Sequence, residues 1–131
     1  MPQDLVTLTV PARSEFAKTV RLTAASLSNR VGMTYDEVDD VRMAAEEAFI
    51  YAVETLPAEA EVRFEFTMTE DAITIDVALG QSSPEVDDAA DRSTTYATFI
   101  MESVCDSCQF VSDESGAHLR LTKRAGSVDA D

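Results

Sequence analysis

Four groups of side chains carry the types and spacing that chemistry needs. Glu47, Tyr51 and Glu54 recur at i, i+4 and i+7, which sets two carboxylates and a phenol on one helix face. Ser93, Thr94 and Thr95 stand before an apolar helical run; they could hydrogen-bond a phosphate at the helix N-terminus or act as its N-cap. Asp87, Asp88 and Asp91 could chelate a cation or form a solvated acidic loop. Cys105 and Cys108 make a Cys-x-x-Cys pair. A redox pair of this kind usually opens a helix, whereas this one follows a helix, where the dipole disfavours a thiolate. Zinc needs two further ligands, and His118 is the only histidine, so ordinary thiols in a reducing cytoplasm are expected.

These groups must be positioned by elements that periodicity reveals. Residues 5–10 alternate and end at Pro11, which predicts a first strand. Ser14 is the expected N-cap of a first helix, with Glu15 in its first turn, Phe16, Val20, Ala24 and Leu27 on one stripe, and Gly32 as the stop. Thr34 and Glu37 match a capping box for a second helix, which runs to about Thr55 and ends at Leu56-Pro57. Val38, Val41, Ala45, Ala48 and Ala52 form its apolar stripe, beside the Glu47 face.

Val62, Phe64, Phe66 and Met68, then Ile73, Ile75, Val77 and Leu79, alternate around a turn at Glu70-Asp71, which predicts a hairpin with one buried face. Residues 80–93 are polar and aperiodic and read as a long mobile loop. A helix from about Thr94 to Cys105 is expected to bury Phe99, Ile100 and Val104. Strands at about 107–111 and 117–123 close the domain, 1–123, and residues 124–131 read as a frayed, disordered acidic tail. The order predicts an α+β fold, a two-layer sandwich with helices on one face of a mixed, mostly antiparallel sheet.

Composition narrows the function classes. At 131 residues the chain is long enough to bury one core. A net charge of −15 argues against a nucleic-acid backbone and against anionic membrane as partners, and fits a basic protein surface. No apolar run is long enough for a membrane span, and no secretory signal is expected at the N-terminus.

Several segments, in order, resemble the anti-sigma factor serine kinases of the Bergerat-fold (histidine kinase-like) ATPase superfamily. Ala44-Ala45-Glu46-Glu47-Ala48-Phe49-Ile50-Tyr51-Ala52-Val53 is similar to that family's Ala-x-x-Glu-Ala-x-x-Asn-Ala-Val helix. Leu8-Thr9-Val10-Pro11-Ala12 resembles its first strand, and residues 19–33 its first helix, including the Val-Arg-Leu-Thr and Arg-x-Gly elements. Residues 99–106 are similar to the helix after the ATP lid, and residues 119–123 to the last strand.

The resemblance implies Glu47 as general base, here set against the reading of a plain exposed helix carboxylate. It also implies that Tyr51 replaces the magnesium-binding Asn; the phenol either plugs the nucleotide cleft or packs as an amphipathic aromatic. Leu79, with Gly80 next to it, stands where the adenine-binding Asp is expected. Thr94, Thr95 and Ala97 replace lid glycines, and Thr95 and Thr98 are the remaining candidate phosphate contacts.

The expectation is a bacterial cytoplasmic regulator, a homodimer that binds a sigma factor or an anti-anti-sigma protein with weak or absent ATP binding and no resident cofactor or metal. The alternatives are an active divergent serine kinase using Mg-ATP, with Glu46 or Glu54 as a replacement metal ligand, and a cleft around Tyr51, Leu79 and Tyr96 turned to another small molecule.

Overall fold

Two periodicities in the sequence, one of 3.6 and one of 2, bring an apolar helix layer onto an apolar sheet face. The computed structural model describes residues 3–80 and 88–126, with residues 88–95 described at the level of the backbone. The strands are β1 (Asp4–Pro11), β2 (Glu61–Met68), β3 (Ala72–Ala78), β4 (Ser107–Asp113) and β5 (Gly116–Arg124), and the helices are α1 (Ala17–Val31), α2 (Tyr35–Thr55) and α3 (Asp88–Val104). The strands form one five-stranded sheet in the order β1-β2-β3-β5-β4. All four pairings are antiparallel, so the sheet is not mixed. Short hairpins link β2 to β3 and β4 to β5, which leaves no parallel crossover to build.

The core lies between the layers. Val62, Phe64, Phe66, Ile73, Ile75, Val77, Leu119 and Leu121 line the sheet face, against Val20 and Ala24 of α1 and Val41, Ala45, Ala48, Phe49 and Ala52 of α2. The small residues of α2 let it approach the sheet closely, and Phe49 fills the remaining space over Phe64, with ring centroids 6.2 Å apart. α2 sits between α1 and α3, so it is the central helix of its layer.

The expected caps of α2 are present. Thr34 Oγ1 accepts from the Glu37 N–H at 3.2 Å, and Glu37 Oε1 accepts from the Thr34 N–H at 2.8 Å. Gly32 closes α1 at φ 86°, where a side chain would be strained.

Four further expectations are corrected. Ser14 does not cap α1; it opens a single 3-10 turn, Ser14–Phe16, and α1 starts at Ala17 with no side-chain cap. The turn forms because Arg13 is extended and the Phe16 N–H bonds back to the Arg13 carbonyl at 3.1 Å.

α3 begins at Asp88, so residues 88–93 are helical rather than loop. Ala89-Ala90 are strong helix formers, which outweighs the polarity that suggested a loop. The remainder of the expected loop, residues 81–87, lies outside the described residues together with Asp87.

Phe99 is 69% exposed and not in the core. The buried positions are Ala97 and Met101, with Val104 half-buried: the i, i+4, i+7 stripe faces inward, and Phe99 lies away from it. Finally, order extends past residue 123. Arg124 pairs with Ala72, the Ala125 N–H bonds to the Asp71 carbonyl at 2.7 Å, and the Gly126 N–H to Glu37 Oε2 at 3.2 Å. Only residues 127–131 of the expected tail lie outside the described residues.

Candidate functional site

α2 presents Glu47 and Tyr51 one turn apart, because residues at i and i+4 stack on one helix face. Glu47 is half-buried rather than exposed. Burial pushes its carboxyl up from the ordinary value, and the neighbouring Glu46 and Glu54 carboxylates add to the effect. Glu46 is itself engaged by Arg21 of α1 at 3.4 Å.

The raised value favours the protonated form in the folded state, so ionised Glu47 destabilises the fold at neutral pH. That penalty fades as pH falls through the raised value and is gone below 4.5. Glu47→Gln is therefore expected to raise the thermal midpoint by about 1–3 °C at neutral pH, after allowance for solvent screening, with the gain vanishing in acid. Calorimetry across pH checks it.

Tyr51 is half-buried, and its ring meets Phe110 of β4 edge-on at 5.5 Å. Tyr51 thus packs against an aromatic side chain. Phe110 was not singled out from the sequence. The available signal was the alternation of Cys108 and Phe110 in β4, which sets both on the helix-facing side of an edge strand.

Leu79 is 5% exposed and belongs to the core; its N–H bonds to the Ala117 carbonyl at 2.8 Å. Gly80 takes φ 86°, and a Cβ there would approach Leu56 Cδ2 at 3.3 Å, so this glycine serves both the turn and the packing.

The lid-region candidates divide. Ala97 is buried. Thr98 is half-buried, and among the described residues its Oγ1 is the one buried side-chain oxygen without a hydrogen-bond partner. The side chains of Thr94 and Thr95 lie outside what is described, as do those of Asp88 and Asp91. Tyr96 is 66% exposed, so it does not join Leu79 in an enclosed apolar pocket.

A family model described as histidine kinase-like ATPase domain matches residues 10–123. The chain belongs to that family. It is similar to the serine-protein kinase RsbW of Bacillus subtilis (strain 168), 30% identical over 92% of this chain and 85% of the relative. It is also similar to RsbW of Halalkalibacterium halodurans, 28% identical over 92% and 83%. RsbW of Staphylococcus aureus (strain MRSA252) is 27% identical over 92% and 87%.

The two-layer architecture is that of a histidine kinase-like ATPase domain. No described helix is long and apolar enough to cross a membrane.

The Cys-x-x-Cys pair sits in this domain as two free thiols, and no cluster of metal-ligating residues is found among the described residues. Burial, then the nearby Cys108, pushes the Cys105 thiol up to about 12, and burial raises Cys108 as well. Because the thiolate is the nucleophile, native Cys105 is expected to alkylate with iodoacetamide at least about 30-fold more slowly than the unfolded chain near pH 8, the lost thiolate fraction being partly offset by the greater nucleophilicity of a more basic thiolate. Timed mass spectrometry with and without denaturant measures it.

Proposed function

We propose that this histidine kinase-like domain is a regulatory binding protein that holds a sigma factor or an anti-anti-sigma protein, with weak or absent ATP binding. In this reading it works as a cytoplasmic homodimer. The observation that carries the reading is Tyr51. At the position of the family's magnesium ligand, α2 offers a phenol seated against the Phe110 ring.

A phenol is a poor ligand for a hard cation that selects carboxylate, amide and water oxygens. Leu79, at the position of the adenine-binding carboxylate, is an apolar side chain buried in the core. The donor set therefore does not fit Mg-ATP. The scaffold elements meanwhile persist: the capping box, the Gly32 stop and the small-residue stripe of α2. A net charge of −15 suits a partner with a basic docking face, and would make association weaken as salt rises.

Isothermal titration with Mg-ATP is expected to give no binding tighter than about 1 mM, the weak end of ordinary affinities. Micromolar affinity that depends on Mg²⁺ would overturn the proposal.

One observation favours a second reading, a divergent serine kinase. Glu47 is half-buried with its carboxyl held above the ordinary value, which is how a proton-accepting carboxylate is prepared. Transfer of phosphate to a serine of an anti-anti-sigma protein, abolished by Glu47→Gln, would decide for it.

A further inference from the structure

We propose that Ser115, His118 and Asp76 form a nucleophilic site for small activated acyl esters on the outer face of the sheet, away from the helix layer. The inference is independent of the partner-binding reading. β3 and β5 pair so that His118 lies opposite Ala78 and Arg120 opposite Asp76. Ile75, Val77, Leu119 and Leu121 point into the core, so the alternation turns Asp76, His118 and Arg120 outward.

There they are connected in series. Asp76 Oδ1 lies 2.8 Å from His118 Nδ1, and His118 Nε2 lies 2.9 Å from Ser115 Oγ. Arg120 holds the other Asp76 oxygen, donating from Nε at 3.0 Å and approaching with Nη2 at 2.9 Å.

Each contact has a chemical consequence. The Arg120 guanidinium grips one Asp76 oxygen from two nitrogens and so orients the carboxylate. With Nδ1–H donated to Asp76, Nε2 faces Ser115 Oγ as the acceptor. At rest the Ser115 hydroxyl donates to Asp113 Oδ1, which also lies 3.5 Å from Nε2, so the hydroxyl must rotate toward His118 before transfer. The His118 and Asp76 side chains are only 16% and 17% exposed, which limits competing water. Ser115 is exposed in the β4–β5 turn, within reach of a ligand.

The three line a depression of about 280 Å³ with Arg63, Glu65 and Ala78. Its size and polar rim suit a small aryl ester rather than a long apolar chain.

In the acyl-transfer step the Ser115 Oγ–carbon bond forms and the ester carbon–oxygen bond breaks. The hydroxyl proton passes to His118 Nε2 and then to the leaving phenoxide. Water, deprotonated by His118, hydrolyses the acyl-serine and releases the acid. Asp113 opposes the first transfer, because its Oδ1 lies 2.6 Å from Ser115 Oγ and competes for the same proton. Asp76 is a positioning residue in this scheme.

The full chain treated with a fluorophosphonate tests the site. Attack forms the Ser115 Oγ–phosphorus bond, expels fluoride and passes the proton to His118. Peptide mass spectrometry is expected to find the adduct on Ser115. His118→Ala and Asp76→Asn should label about 100-fold more slowly, as for a lost general base or its orienter, and Asp113→Ala should label faster. Should His118→Ala unfold by circular dichroism, the near-isosteric Asp76→Asn carries the comparison. An absent Ser115 adduct, an unchanged rate in the folded variants, or slower labelling of Asp113→Ala overturns the proposal.

Discussion

Phe64→Ala is expected to cost about 3–5 kcal/mol of folding stability, the range for deleting a buried aromatic ring. Phe64 has no solvent exposure. Its ring stacks on Phe66 at 5.7 Å and 7°, and meets Phe49 of α2 at 6.2 Å. The ring therefore joins the central helix to the sheet, and the cavity left behind would open beneath the helix that carries Glu47 and Tyr51. Its neighbours cannot refill that space, because Ala45, Ala48 and Ala52 are too short.

Chemical denaturation with a constant m-value measures the loss. Phe99→Ala is the control: 69% exposed on α3, it should change stability by no more than about 0.5 kcal/mol. Equal losses for the two would mean that the sheet–helix contact is not where the stability resides.

Lys123→Ala is expected to cost about 2–3 kcal/mol, in the range for hydrogen bonds to charged groups. Lys123 Nζ donates to Asp40 Oδ2 at 3.0 Å and to the Val104 carbonyl at 2.9 Å. One ammonium thus joins α2, the C-terminal turn of α3 and β5. It also supplies a cation where the α3 carbonyls leave partial negative charge.

With its side chain 16% exposed, Lys123 is screened far less than a surface pair. Its removal leaves a half-buried Asp40 and an open carbonyl. A double-mutant cycle with Asp40→Ala should give a coupling above about 1 kcal/mol. Coupling near zero would show an ion pair dissolved by water.

Local rules made much of the fold readable. The alternation in residues 62–68 and 73–79, the capping box at Thr34 and the stop at Gly32 all act within a few residues, and each is present where the pattern put it. Errors arose where local signals were weak or in conflict. Ser14 resembles an N-cap, but the extended Arg13 behind it closes a 3-10 turn instead. Phe99 is apolar, but the phase of α3 is set by Met101 packing inward. Polarity hid the opening of α3, which is helical from Asp88.

The sequence by itself determined the family, the layer architecture and the residue types at positions 47, 51 and 79, because these follow from periodicity and motif order along the chain. Only the tertiary structure decided what those side chains meet. Tyr51 touches Phe110 and Lys123 reaches Asp40, and these pairs are separated by scores of residues and joined only when β4 and β5 close the sheet. The same holds for the Asp76–His118–Ser115 series, created by a strand register that no local pattern encodes. Proximity across a sheet depends on how hairpins and helices bury their apolar faces together, a property of the whole chain rather than of any segment.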